Sequence, residues 1–140
     1  MHVSAQQLLL ALVIGGEVFA IAALWPLSEW AVTAPRRGAQ ATALAVIVAC
    51  VALETYGLGF SERAPAGWHS LIASALEWTT VPLFIALPDA ACVASGQSLA
   101  RAGVSVRVAR AVALGVAAVA AMAAPFATIV AGCGMAGACF

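Results

Sequence analysis

Three glutamates stand inside apolar runs of this chain: Glu17, Glu54 and Glu77. A charged carboxylate near the centre of a bilayer costs about 2.5–3.5 kcal/mol on insertion scales, so three of them need a reason. The chain has no lysine, and no arginine falls at their depth in those three runs. Salt bridges within the chain therefore do not neutralise them. Four alternatives remain open. The acids are protonated, or they bond as neutral groups to Thr55, Ser74, Trp78, Thr79 or Thr80. Otherwise they ligate a cation, or they meet an arginine or lysine of a partner subunit.

Spacing groups these acids with other polar side chains. Cys50 and Glu54 are four apart and share a helical face, and His69, Ala73, Glu77 and Thr80 share another. Glu17, Glu54, Glu77, Thr80 and His69 are thus the candidates for binding a proton, a cation or a partner. The metal candidates are His69, Glu77, Glu54 and Cys50, although no Glu-x-x-His, His-x-x-x-His or Cys-x-x-Cys fixes a coordination sphere. The competing reading is packing: a neutral carboxyl between helices contributes about 0.6–2 kcal/mol as interhelical glue. One glutamate reads as glue, whereas three at one depth favour a site. Glu29, beside Trp30, reads as a solvated end residue.

The elements that must carry these residues follow from composition. The chain has 140 residues, 64% of them hydrophobic and 9% charged, with six basic and six acidic side chains. Soluble domains average about 45–50% apolar and about 25% charged, so this chain is expected to live in lipid. Zero net charge without a basic tract excludes nucleic-acid binding, and the apolar excess excludes a disordered tail. A span takes roughly 20 apolar residues. Four runs qualify, at about 8–32, 39–60, 68–93 and 107–131, within a single transmembrane domain. The intervening stretches 33–38, 61–67 and 95–101 hold the breakers and charges and read as short connections. Short connections predict an all-α, up-down bundle of four antiparallel transmembrane helices whose consecutive members are neighbours.

Orientation is read from the arginines. Arg36, Arg37, Arg101, Arg107 and Arg110 sit in or beside the first and third connections, and Arg63 alone in the second. That asymmetry places the first and third connections in the cytoplasm and both termini outside, with a bacterial inner membrane as the expected location. Residues 8–12 lack a basic segment before them, so the first run is expected to be retained as a span. Pro26, Pro82, Pro88 and Pro125 interrupt spans, each freeing a carbonyl one turn earlier. Ala109, Ala113, Ala117 and Ala121 recur every four residues, a stripe that admits close helix approach.

Of the four cysteines, Cys50 and Cys92 read as small apolar fillers. Cys133 and Cys139 frame a glycine-rich segment on the oxidising side and are the disulfide candidate. Their spacing does not match the Cys-x-x-Cys of thiol–disulfide enzymes. The two histidines, His2 and His69, both lie at the outer edge, which argues against a bis-His haem within the bundle. No nucleotide motif is present.

Glu77-Trp-Thr-Thr-Val-Pro-Leu-Phe84 is similar to the third-helix signature of microbial rhodopsins, an acid and a Trp followed by Thr-x-Pro-Leu. That family resembles a seven-helix bundle with a retinal-bearing lysine. Here there are four spans and no lysine for retinal, so no residue role is carried over. Glu17 after Gly15-Gly16 resembles the first-helix glutamate of small multidrug transporters, and the other runs show no counterpart.

The first functional expectation is a small, non-catalytic integral-membrane subunit inside a larger assembly. Its carboxylates would be satisfied by other membrane subunits, by a second copy or by a cofactor. The alternative is a small homo-oligomeric transporter or channel coupled to protons or cations through the glutamates. A membrane metal or redox enzyme stands third.

Overall fold

The computed structural model describes residues 5–60 and 69–136. Side chains are described for 7–8, 11, 14–53, 55, 82–124 and 126. Four helices form, and no strand occurs among the described residues: α1 (Ala5–Thr33), α2 (Arg37–Phe60), α3 (His69–Arg101) and α4 (Val106–Ala136). Each is long because straight-chain, alanine and β-branched apolar residues run unbroken. The punctuating prolines Pro26, Pro82 and Pro88 lie inside the helices without ending them.

The first connection follows from Pro35, which keeps Ala34 out of the α region and ends α1 at Thr33. The third connection differs from the sequence expectation. Residues 95–101 are not a loop but the last two turns of α3, which leaves only residues 102–105 as the turn. Ser95 and Ser98 donate back to the carbonyls of Ala91 (2.6 Å) and Ala94 (2.7 Å), so their hydroxyls do not compete with the helix. Glycine here serves packing, not breaking. A Cβ on Gly96 would lie 3.2 Å from the Ala31 Cβ and 3.4 Å from the Ala113 Cβ, so α1, α3 and α4 meet at this point. The true stop is Gly103, at φ 75°. Val104 N–H donates to the Leu99 carbonyl and Gly103 N–H to that of Ala100, a Schellman closure that needs the left-handed residue.

The termini of the elements fix the helix directions. Arg36 lies against Gln97, Gln40 against Ser98, and Arg110 against Trp25 and Ser28. The end of α1, the start of α2, the end of α3 and the start of α4 are therefore together, at what we call the arginine end. Directions alternate, as an up-down bundle requires.

Adjacency does not follow chain order, however. α3 and α4 each touch all three other helices, whereas the α1 and α2 backbones do not approach within 8 Å of each other at any Cα pair among the described residues. The cross-section is a rhombus with α3 and α4 on the short diagonal. Sequence reasoning expected α1 and α2 to be neighbours because their connection is short. The alanine seam of α4 overrides this, since Ala109, Ala113, Ala117 and Ala124 are wholly buried and let the α3 and α4 backbones close on each other. Ala121, expected in that seam, is only half-buried and Ala124 replaces it. Each four-residue step overshoots a full turn by about 40°, so a strict period of four must drift off the contact line.

The core is built from small residues. Ala20, Ala31, Ala43, Cys50, Ala90, Ala91, Cys92 and Ala94 are buried with Ser28 and Gln97, and Phe84 is the largest fully buried side chain among the described residues. Leu24, Val32 and Val93 are buried among them, and Leu27, Ile47, Leu83 and Leu87 pack against this core, but many large apolar residues point outward, among them Val18, Phe19, Trp25, Val48, Val119, Met122 and Phe126.

Candidate functional site

Two polar regions emerge. The first is at the arginine end and was not recognised in the sequence. Arg110 rises from the first two turns of α4 and lays its guanidinium over Trp25 of α1, 4.0 Å from the ring centroid. Its Nε donates to Ser28 Oγ (3.1 Å) and a terminal nitrogen donates to the Trp25 carbonyl (3.3 Å). The other terminal nitrogen is 3.6 Å from the Glu29 carboxylate. Glu29 is exposed, so that pair is a solvated supplement, while Ser28 is wholly buried. In the sequence Arg110 reads as a topology marker beside the third connection. Nothing in the spacing of Trp25 and Arg110 predicts that they meet, because α1 and α4 are the most distant helices in sequence.

Beside it, Gln97 of α3 is 0% exposed. Its Oε1 accepts from the backbone N–H of Arg36 at 3.1 Å, the residue that caps α2. Its Nε2 has no partner among the described residues. Gln40 Nε2 donates to Ser98 Oγ (2.7 Å), and Arg101 donates to Gln40 Oε1. The first turns of α2 and α4 contain no acid, although that is where a helix favours one.

The second region lies along the α1–α3 groove. Glu17 is half-buried and falls on the stripe of Ala20, Leu24, Ser28 and Ala31 that α1 turns inward. Its neighbour Gly16 lies against Ile85, whose Cδ1 would be 2.7 Å from a Cβ placed there. Asp89 shares its face of α3 with Ile85, Cys92 and Gly96, so it is directed toward the same groove, and its buried Oδ1 has no partner among the described residues. In the sequence Asp89 stands directly after Pro88, inside the third apolar run. The signal available was its placement four residues after Ile85 and seven before Gly96, on the face that closes against α1.

The side chains of Glu54, Glu77, His69 and Thr80 lie outside the described residues, as do those of Cys133 and Cys139. α4 itself continues through residue 133 to Ala136. Thr55, a possible donor to these acids, gives its proton to the Val51 carbonyl at 2.8 Å. Cys50 is buried and donates to the Leu83 carbonyl at 3.1 Å, one residue before the carbonyl that Pro88 cannot bond. No group of three or more His, Cys, Asp or Glu side chains that could hold a metal ion occurs among the described residues.

Comparison with protein-family models, with curated proteins and with solved structures finds no match for this chain.

Proposed function

We propose that the chain is an integral-membrane four-helix bundle that serves as a small, non-catalytic subunit of a larger membrane assembly. The observation that carries the membrane reading is the inverted distribution of side-chain size. Alanine, cysteine, serine and glycine make up most of the interior, with Leu24, Val32, Phe84, Val93 and Gln97 among them, while Phe19, Trp25, Val48, Val119, Met122 and Phe126 stand outside. Lipid offers no hydrophobic drive between helices, so small residues that allow close backbone contact belong inside and bulky ones face acyl chains. Two of the described stretches, Pro82–Arg101 and Val106–Ala124, are long and apolar enough to cross a bilayer. On this reading the arginine end is cytoplasmic, both termini are outside, and the bilayer is a bacterial inner membrane.

The subunit role rests on the wide apolar exterior around short connections and on acids for which a partner would supply the counter-charge. The test is extraction in mild detergent followed by identification of what co-purifies. Association with specific membrane proteins, weakened by Glu17→Gln or Glu77→Gln, is expected. A chain that runs alone, or association indifferent to both substitutions, overturns the subunit role.

A second reading is favoured by Asp89 and Glu17 together: a carrier that moves protons or cations through the α1–α3 groove. Proteoliposome flux that survives replacement of Glu17, Glu54, Glu77 and Asp89 by their amides would dispose of it.

A further inference from the structure

We infer that the arginine end holds a binding site for the net-negative phosphodiester headgroup of an anionic phospholipid, centred on the amino terminus of α2; this rests on the membrane reading above. α2 starts at Arg37, and its first-turn N–H groups find no acceptor side chain among the described residues. A helix start with free N–H groups presents roughly half a positive charge and donors aimed at an anion. Most helices answer this with Ser, Thr, Asp or Asn at the cap. α2 has Arg36 there and Arg37 next, so the local charge is reinforced instead of relieved.

A second, independent observation lies directly beneath. Gln97 is wholly buried, and its carboxamide reaches up from α3 to accept the Arg36 N–H. That bond fixes which end of the amide is oxygen, because reversing it would set two donors face to face. Nε2 is therefore held beside the cap residue with its donors unmet. A buried unmet donor costs free energy that an acceptor arriving at the site recovers.

Two side-chain acceptors near this helix start already face other cations. Glu29 pairs with Arg110, and the Gln40 carbonyl oxygen takes the Arg101 guanidinium. Arg36 and Arg37 are exposed and have no ion-pair partner among the described residues. Space is open over the turn, since a Cβ on Gly38 would meet nothing within 4 Å. Donors and positive charge thus exceed acceptors at one helix start, and in a bilayer the anion present at that depth is a lipid phosphate.

The experiment compares the chain in nanodiscs of phosphatidylcholine with nanodiscs containing phosphatidylglycerol, reading melting temperature and, by native mass spectrometry, retained lipid. Preferential retention of phosphatidylglycerol and a higher melting temperature are expected. Arg36→Gln and Arg37→Gln should each reduce that preference roughly five-fold. Arg107→Gln, the same charge change at the start of α4, should reduce it less. Equal retention of the two lipids overturns the site, and equal losses from Arg37→Gln and Arg107→Gln reduce it to diffuse surface attraction and overturn it too. Inorganic phosphate reproducing the stabilisation in phosphatidylcholine discs at matched ionic strength overturns the lipid as the source. The lipid comparison on the unsubstituted chain stands even if a variant fails to fold. A chain that does not enter nanodiscs at all refutes the membrane reading instead.

Discussion

Arg110 combines four kinds of contact in one side chain: an aromatic face, a buried hydroxyl, a backbone carbonyl and a solvated carboxylate. The first three lie on the α1 turn that contains Pro26, where helical bonding is already incomplete. Arg110→Gln should therefore lower stability by about 1–2 kcal/mol, with the Glu29 pair contributing little because it is exposed. A double-mutant cycle with Trp25→Leu, measured by thermal melts in detergent, should return about 0.5–1 kcal/mol of coupling. Additive effects would mean that the ring and the guanidinium do not support each other. Cys50 and Cys92 give a second test at this scale. Both are buried, so in a Cys133→Ser/Cys139→Ser background N-ethylmaleimide should label neither until the bundle is denatured. Rapid labelling of the native protein would contradict their burial.

At the scale of the helices, the decisive positions are glycines whose environments differ. Gly96 sits against Ala31 and Ala113, whose Cβ atoms cannot swing aside, whereas a Cβ on Gly115 would meet nothing within 4 Å. Gly96→Val should destabilise the bundle by about 1–3 kcal/mol or more, and Gly115→Val should stay within about 0.5 kcal/mol. Gly103→Ala, at a left-handed turn, should cost about 1 kcal/mol. Circular dichroism melts of the three variants decide between these outcomes. Four helices were legible in the sequence because uninterrupted apolar runs admit little else. The end of α3 was not, because Ser95, Gly96, Gln97 and Ser98 have the composition of a loop. Their partners reveal them as helix: locally a carbonyl one turn back for each serine, and across the bundle two alanines for the glycine and the Arg36 amide for the glutamine. Glu17 could be placed on an inward stripe from its spacing to Leu24 and Ser28. Asp89 is not legible as a groove residue because it follows Pro88 and has no polar neighbour at helical spacing within four residues. Gln97 escaped because a neutral amide carries no charge pattern to notice.

For the molecule as a whole, inside and outside differ by size rather than by polarity, and neighbouring positions on α4 report it. Val116 is exposed and Ala117 wholly buried. Ala117→Leu should cost about 1–3 kcal/mol by overpacking the α3–α4 seam, and Val116→Leu should be nearly silent. Val119, also exposed, distinguishes the two possible solvents. In water Val119→Arg would be harmless, whereas in a bilayer it should cost about 2.5–3.5 kcal/mol and lower insertion. Comparable yields of Val119→Arg and the unsubstituted chain in membranes would count against lipid at that face.

The separation of α1 from α2 has a consequence for the order of assembly. Among the described residues the first two helices to leave a ribosome share no close backbone approach, so they are expected to stay apart until α3 arrives between them. α3 and α4, by contrast, carry the alanine seam and can clasp as a hairpin on their own. A chain severed between α2 and α3 should therefore yield a stable carboxy-terminal half and an amino-terminal half that persists only when its complement is co-expressed. Birth order and partnership run in opposite directions in this bundle: its last pair is the keystone on which the first two come to rest.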